Sequence, residues 1–209
     1  MFQDGDASGR PDIFNYAIVF LNCGIDETIA ADPARLQILR DYVEQGGRLY
    51  VSDWAYDFVE QVFPQYVDFE GAAGTAAASP ETPDVAQVGE GNITSDATLD
   101  PQLQSWLGGV TCGNGGSCLN ANGTATIEGF LSSWAVMAGA HASAPSSMRV
   151  WVSGPVTFDG QATAVNRPLT VGFNVGSGRV TYTSYHNEPF GAVGFVPVER
   201  ILQFLVFEL

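Results

Sequence analysis

The sequence contains no lysine, and its eight basic residues are all arginine, against 23 acidic residues. The formal net charge is therefore −15 at neutral pH. A surface of this kind repels the phosphates of nucleic acids and of anionic lipids, so neither is an expected partner. The absence of lysine beside abundant alanine and glycine also fits a coding bias, which carries no functional information.

Long apolar runs are also missing, and no stretch approaches the length that crosses a membrane. The first nine residues, MFQDGDASG, have neither a basic region nor an apolar core, so they do not form a signal peptide. If the protein is exported, its signal has been removed or lies outside this chain. The length of 209 residues and the 45% of hydrophobic residues predict a single domain over residues 1–209.

Cysteine is scarce, with three residues in the chain. Cys112 and Cys118 flank a flexible Gly-Asn-Gly-Gly-Ser loop, and we predict a disulfide between them. Such a bond indicates an oxidising compartment; two surface thiols are the alternative. No second Cys/His pair has the spacing of a zinc site. Cys23 follows the apolar run 16–21 and precedes Gly24, so it is interpreted as a small buried hydrophobe, with a nucleophile as the alternative.

The first third of the chain predicts a βαβ unit, with a strand over 16–22, a helix over 33–45 and a strand over 48–53. The two strands are expected to be parallel, with a right-handed crossover. A second helix is predicted over 54–63. Asp53 then lies where a strand meets a helix N-terminus, and it either caps that helix or faces a ligand crevice.

The segment 66–147 is rich in glycine, alanine and asparagine, and we interpret it as a loop-rich insertion at one edge or end of the sheet. Strands return at 149–153, and a C-terminal hairpin is predicted from 168–175 and 179–185, joined through Gly-Ser-Gly. The apolar spacing over 197–207 predicts the last helix.

Two polar residues follow the strand 179–185 closely, His186 and Glu188. Ligands of open α/β sheets bind outside the carboxyl ends of the strands. The pair is therefore a candidate acid/base pair or a candidate pair of metal ligands, and a turn that merely caps the strand is the alternative. A hydrogen bond from His186 to Asp53 or Glu188 that only fixes the loop is a further structural interpretation.

The order of these elements resembles the class I glutamine amidotransferase-like superfamily, including its trehalose-utilisation (ThuA-like) branch. Residues 185–188, Tyr-His-Asn-Glu, resemble the aromatic-His-Pro-Glu ending that supplies the catalytic histidine and glutamate there. Residues 21–24, Leu-Asn-Cys-Gly, resemble the strand-end segment that forms the oxyanion hole. The resemblance covers 13–63 and 168–207. It implies a three-layer α/β sandwich of the flavodoxin-like kind with a mainly parallel central sheet, in which the strands 16–22, 48–53 and 179–185 are neighbours.

The chain departs from that family at the turn after the strand 48–53, where the family carries a nucleophilic cysteine beside glycine. Here the turn, 51–55, reads Val-Ser-Asp-Trp-Ala, and a thiolate is required to attack the glutamine amide. Glutaminase activity is therefore not expected. The sequence also begins directly with the strand that the family usually places after a first βα unit, so that unit is missing, absorbed elsewhere or outside this chain.

Two classes of function follow. The favoured one is a non-catalytic binding or structural module on an amidotransferase-like scaffold of an exported or cell-surface bacterial protein, extracellular or periplasmic, with a cytoplasmic location as the alternative. The other is a hydrolase or lyase that acts on a small polar substrate, such as a sugar, through Asp53, His186 and Glu188. No cofactor is expected for the first class, and a divalent metal ion is an option for the second. The expected partner is a small polar ligand or another protein domain. The candidate binding residues are Cys23, Gly24, Trp54, Tyr185 and Asn187.

Overall fold

The structure is a computed structural model that describes residues 1–25, 27–70, 81–113, 115–187 and 195–208. Within these ranges the α-helices are α1 (Pro33–Glu44), α2 (Asp57–Glu60), α3 (Pro101–Leu107) and α4 (Pro197–Gln203). Short 3-10 helices cover Asp12–Asn15, Glu27–Ile29 and Asp53–Tyr56, and a π-helical turn covers Phe204–Glu208. The strands are β1 (Ile18–Leu21), β2 (Arg48–Ser52), β3 (Val67–Asp68), β4 (Gln87–Glu90), β5 (Ser95–Leu99), β6 (Thr111–Cys112), β7 (Gly116–Ser117), β8 (Ala125–Ile127), β9 (Ser133–Val136), β10 (Gly139–Ala140), β11 (Arg149–Val156), β12 (Val165–Val175) and β13 (Gly178–Thr183).

The main sheet has seven strands in the order β1-β2-β13-β12-β11-β5-β8. β2 lies between β1 and β13 and is parallel to both. The remaining neighbours, from β13 through β12, β11 and β5 to β8, are all antiparallel. The prediction that the strands over 16–22, 48–53 and 179–185 are neighbours is confirmed.

The predicted three-layer, flavodoxin-like sandwich with a mainly parallel sheet is wrong, because only two of the neighbouring pairs are parallel. The reason lies in the connections. A parallel pair needs a crossover, usually a helix, whereas strands joined by a tight turn pair antiparallel. β1 and β2 are joined through α1, but β12 and β13 are joined by a hairpin, and no helix lies between β11 and β12.

Part of the sheet comes from the segment 66–147. β5 and β8 pair with each other, and β5 also pairs with β11, so these strands form the edge farthest from β1. β4 and β9 form a separate antiparallel pair, as do β3 and β10. The alternation of buried and exposed residues along β5 is typical of a strand with one solvated face.

α1 forms where the sequence predicts it. The Asp32 side chain accepts the backbone N–H of Ala34 at 3.0 Å, and Pro33 occupies the first helical position. Gly46, at φ +111°, follows the helix in a conformation that glycine adopts without strain. The apolar face of α1 packs on the sheet.

Two apolar clusters form the core. One contains α1, α2 and residues of β2, β12 and β13, and the other contains α3, α4 and residues of β5, β8 and β11. Tyr182 belongs to the first cluster and Ile201 to the second, and both are fully buried. Apolar side chains therefore pack on both sides of the central strands, which is why those strands read as near-continuous apolar runs.

Cys112 and Cys118 are joined by a disulfide, with their Cα atoms 5.0 Å apart, as predicted. Both sulfurs are buried in the second cluster. Among the helices that the structure describes, none combines the length and the apolar character needed to cross a membrane.

Candidate functional site

The carboxyl ends of β1, β2 and β13 lie side by side at one edge of the sheet. The register places Leu21 beside Val51, and Ser52 beside Thr183, so the three parallel strands end at nearly the same level. The residues that follow each strand are therefore brought together. This is the only part of the described sheet where parallel strands end.

Asp53 is the most constrained residue of this edge. It has a φ of +51°, which is uncommon for a residue other than glycine, and it turns the chain sharply from β2 into the 3-10 helix Asp53–Tyr56. Its side chain is fully buried and does not cap that helix. Instead, Oδ1 accepts the backbone N–H of Ala135 at 2.9 Å, and the Asp53 carbonyl accepts the Tyr182 hydroxyl at 3.0 Å.

His186 contacts the other oxygen of this carboxylate. Its Nε2 lies 2.8 Å from Asp53 Oδ2. The backbone N–H of His186 donates to the carbonyl of Gly129 at 3.0 Å. Gly129 has a φ of +93°, and a Cβ built there would collide with the backbone oxygen of His186. Glycine at position 129 therefore permits the close approach that holds His186 in place.

Two of these supporting residues, Gly129 and Ala135, lie in the segment that the sequence analysis interpreted as an insertion. Their contribution was missed because it consists of a backbone N–H and a backbone carbonyl, whose partners the sequence does not show. The apolar run Trp134-Ala-Val-Met137 was the available signal, since such a run between turn residues is typical of a buried strand. Residues 134–136 of that run belong to β9.

Cys23 completes the group. Its sulfur, one Asp53 carboxylate oxygen and one ring nitrogen of His186 all lie within 4.8 Å of one another. Cys23 is half-buried and lies outside the disulfide. A thiolate, an imidazole and a carboxylate at this separation are able to share one transition-metal ion.

A pocket of about 240 Å³ opens beside the group. Its lining consists of Phe20, Asn22, Cys23, Tyr50, Ser52, His186, Asn187 and Leu202. Cys23 and His186 thus face the pocket, whereas Asp53 lies behind them in the protein interior.

Polar atoms on the pocket floor are held by hydrogen bonds. The Tyr50 hydroxyl lies 2.8 Å from Thr183 Oγ1 and accepts a hydrogen bond from Asn187 Nδ2. Burial raises the pKa of Tyr50 to about 12, against the smaller lowering by its bonds to Thr183 and Asn187. Tyr50 is therefore a neutral hydrogen-bonding group at physiological pH. The buried Oδ1 of Asn187 has no hydrogen-bond partner among the described residues, so an acceptor remains unused beside the pocket.

The other predicted binding residues lie elsewhere. Trp54 Nε1 donates to the carbonyl of Ser133 at 3.2 Å, and Tyr185 is buried with its hydroxyl 2.7 Å from Thr170 Oγ1. Gly24 is exposed at φ +90°, next to Cys23 in the chain, and does not line the pocket. Glu188 lies outside the described residues. The structure therefore brings together Cys23, Asp53, His186 and Asn187 of the predicted set.

A second group of potential ligands, Asp4, Asp6 and Asp12, lies in the N-terminal loop. Their carboxylates accept backbone N–H groups of the same loop, including those of Gly5 and Gly9. Asp4 and Asp6 are exposed.

No family model and no curated protein matches the sequence. Among solved structures, the chain is similar to the cytoplasmic protein STM1381 from Salmonella typhimurium LT2, with 14% identity, a TM-score of 0.44, and coverage of 84% of this chain and 62% of that one. The cytoplasmic protein STM3548 from Salmonella typhimurium gives 13% identity, a TM-score of 0.43, and coverage of 85% and 63%. A beta-galactosidase from Bacillus circulans sp. alkalophilus gives 10% identity, a TM-score of 0.36, and coverage of 83% and 21%.

The chain thus spans less than two thirds of the length of the Salmonella proteins and about a fifth of that of the galactosidase. At these TM-scores the similarities carry no argument about fold or function. The site must be interpreted from its own residues.

Proposed function

We propose that this chain is a binding module, and that its site binds a divalent transition-metal ion through Cys23, Asp53 and His186. One observation carries the proposal, namely that the three ligand atoms lie within 4.8 Å of one another at the edge of an open pocket. Each residue comes from the end of a different parallel strand, so the arrangement is fixed by the sheet.

The donor set favours zinc or a metal of similar softness. Thiolate and imidazole ligands suit Zn²⁺, whereas Ca²⁺ and Mg²⁺ prefer oxygen ligands alone. Asp53 and His186 already share a hydrogen bond, and a metal ion would take the place of the shared proton. Because the thiol and imidazole must lose protons to bind metal, affinity is expected to fall at acid pH.

Three protein ligands leave one position of a tetrahedral ion for a further ligand. Cys23 and His186 line the pocket, so that position would face it. Asn187 Oδ1 and the Tyr50 hydroxyl offer hydrogen-bonding atoms nearby. A small polar ligand that carries a metal-binding oxygen suits this surrounding.

The proposal excludes glutamine hydrolysis. The turn after β2 carries the Asp53 carboxylate where the amidotransferase pattern has a thiol, and Cys23 instead follows β1. The disulfide between Cys112 and Cys118 supports an exported or cell-surface location, because disulfides persist in oxidising compartments.

Metal binding is tested with Cys23→Ser, which keeps the size of the side chain but removes the thiolate. Co²⁺ serves as a spectroscopic probe of thiolate ligation, and Zn²⁺ affinity is measured by calorimetry on protein treated with EDTA. Loss of an outer partner of a zinc ligand costs about 10–100-fold in affinity, so loss of a direct ligand should cost at least about 100-fold. The melting temperature of the metal-free variant should equal that of the wild type.

Cys112 and Cys118 provide the matched comparison. Because they are held in a disulfide, they should not contribute to metal binding or to the cobalt absorption band. A wild-type protein without a thiolate-to-cobalt absorption band, or a band that survives Cys23→Ser, would refute the site.

A second candidate is a metal-dependent hydrolase or lyase for a small polar substrate such as a sugar. The observation that favours it is the same open position, since catalytic zinc commonly has three protein ligands and one bound water. Zinc-loaded protein would then hydrolyse p-nitrophenyl esters or glycosides, and Cys23→Ser would not. If zinc-loaded protein shows no turnover, the hydrolase or lyase candidate is rejected and the binding module remains the proposed function.

A further inference from the structure

Two arginines lie side by side at the amino ends of the parallel strands β2 and β13. The register places Arg48 directly beside Arg179, and neighbours in register present their side chains to the same face of a sheet. Both residues line the same two pockets, so their side chains run together. Two positive charges at this distance repel each other.

No carboxylate neutralises the pair among the described residues. Neither Arg48 nor Arg179 belongs to an ion pair there, although the chain carries 23 acidic residues against eight basic ones. A sequence with so many acidic residues could have placed one beside the pair. Its absence leaves two neighbouring cations without a counter-charge from the described protein.

The guanidinium group of Arg179 is held in place and yet incompletely bonded. Its Nε donates to Asn174 Oδ1 at 3.2 Å, which fixes the orientation of the group. Its Nη1 is buried and has no hydrogen-bond partner among the described residues. Burial, followed by the charges of Arg48 and Arg149, lowers the pKa of Arg179, although arginine stays protonated in proteins. A buried donor on a charged group is costly without an acceptor, so an acceptor is missing here.

Arg48 has one bonded side and one open side. Its Nη1 donates to the carbonyl of Val206 at 3.1 Å, in the π-helical turn Phe204–Glu208. An arginine commonly bonds the last carbonyls of a helix, so this contact has a structural explanation. The contact does not account for Arg179 beside it. Arg48 is exposed, so its remaining N–H groups are accessible to a ligand.

A pocket of about 330 Å³ opens at this pair. Besides the two arginines, its lining consists of Gly46, Asn174 and the hairpin turn 176–178. No carboxylate side chain belongs to this lining in the described part of the chain. The glycines leave room for a ligand, and Ser177 adds a hydroxyl group. Pockets for small molecules begin at about 300 Å³, so this one suits a small ligand.

We propose that Arg48 and Arg179, together with the hydroxyl group of Ser177, bind the phosphate group of a small phosphate monoester. Two guanidinium groups match the charge of a phosphate dianion, and their planar donors suit its oxygens. The phosphate would supply the missing acceptor for Arg179 Nη1 and would screen the repulsion between the arginines. The net charge of −15 repels extended anionic polymers, whereas one phosphate group needs only this local pair.

This pocket is distinct from the proposed metal site. Arg48 begins β2, whereas Ser52 ends it and lines the pocket of Cys23. The length of the strand separates the two by about 13 Å. The inference therefore does not depend on the proposed function.

Methyl phosphate and inorganic phosphate are the probes, each used alone on metal-free protein at pH 7.5 and low ionic strength. Calorimetry should show one ligand per chain. At a concentration of 100 times the Kd, methyl phosphate should raise the melting temperature by about 5–10 °C. Acetate should bind at least 10-fold more weakly, because it carries one charge. Added NaCl should weaken phosphate binding through screening.

Arg179→Gln removes the buried charge and should lower the affinity for methyl phosphate at least 10-fold. Arg179→Lys keeps the charge but loses the planar donors, so its affinity should be intermediate. Arg35→Gln is the matched control, because it removes the same charge from the surface of α1 and should leave the affinity unchanged. Near-UV circular dichroism reports whether Arg179→Gln is folded, and Arg48→Gln replaces it if it is not.

Four results would overturn the assignment: no binding of methyl phosphate by the wild type, an unchanged affinity in Arg179→Gln, an equal loss in Arg35→Gln, or equal binding of acetate. Binding of inorganic phosphate without binding of methyl phosphate would exclude a phosphate monoester and assign the pocket to the free ion instead.

Discussion

Asp53 and His186 stand 133 positions apart in the chain, yet the Nε2 of His186 lies 2.8 Å from the buried carboxylate of Asp53. The contact exists because β2 and β13 are parallel neighbours whose carboxyl ends meet. Asp53 lies in the turn after β2 and has a positive φ, which no other non-glycine residue directly after a parallel strand of the described sheet has. The contact joins this turn to the residues that line the pocket, including His186. We therefore expect the stability of the protein and the proposed metal binding to be coupled at this pair.

His186→Ala should lower the free energy of unfolding by about 1–3 kcal/mol, because it leaves one oxygen of the buried Asp53 carboxylate without its partner. Urea denaturation of metal-free protein measures the change. Cys23→Ser is the control and should leave the free energy unchanged. Equal stability of His186→Ala and the wild type would show that the pair has no structural role.

Gly129→Ala should destabilise the protein by about 2–4 kcal/mol, since a Cβ at positive φ is strained and would also press on the backbone of His186. Gly160→Ala offers the comparison: Gly160 has a φ of +70° but open space around it, so only the strain of about 1 kcal/mol applies. Denaturant unfolding of both variants, together with zinc titration, separates the backbone strain at positive φ from the contact with the His186 backbone. Zinc affinity should fall in Gly129→Ala alone.

Thiol counting tests the disulfide. Under denaturing, non-reducing conditions the protein should show one reactive thiol, that of Cys23, and reduction should raise the number to three. Because the closed loop is short, reduction should cost only about 2 kcal/mol of stability. Three reactive thiols before reduction would contradict the assignment to an oxidising compartment.

Stability should fall as the pH rises above about 5 when divalent cations are absent. The folded-state pKa values of Asp57 and Asp68 are raised to about 6 and that of Glu60 to about 10, chiefly by burial. The folded protein then binds more protons than the unfolded chain, so the stabilising contribution is present at low pH and is lost as the pH rises through 6 and towards 10. Urea denaturation in EDTA between pH 5 and pH 9 measures this slope.

Glu60→Gln should flatten the upper part of that pH profile, because the glutamine does not titrate. A profile that is equally steep in Glu60→Gln, or one that rises with pH in the wild type, would contradict the raised pKa values.

The protein should release no ammonia from glutamine. The physical reason is the carboxylate of Asp53 at the turn where an amidotransferase needs a thiolate. A coupled ammonia assay on wild-type protein and Cys23→Ala checks this. Ammonia release that disappears in the variant would make Cys23 a nucleophile that acts from the end of β1.

The local structure was predictable because its causes are local. Asp32-Pro33 starts α1 and Gly46 follows its end, while the apolar runs before Cys23 and Asp53 predict buried strands. The glycines around Ser177 predict the hairpin of β12 and β13. The disulfide also followed from spacing, since the glycine-rich loop between Cys112 and Cys118 allows the sulfurs to meet.

The prediction of a mainly parallel sheet was wrong, although the sequence held a relevant signal. The resemblance to amidotransferases favoured a mainly parallel sheet, yet between 149 and 183 the sequence contains no helix that could cross over between strands. Connection length and type decide strand direction, and the short connections of this region require antiparallel pairing.

By itself, then, the sequence determined which residues end the three strands of the site, because caps, apolar runs and glycines act over a few residues. The tertiary structure alone decided that Ala135 and Gly129 hold Asp53 and His186 through backbone groups, because the sequence does not show which residues those groups meet. It also decided that Asp57, Glu60 and Glu81 are buried together, since long-range packing brings carboxylates from distant segments into one dry place.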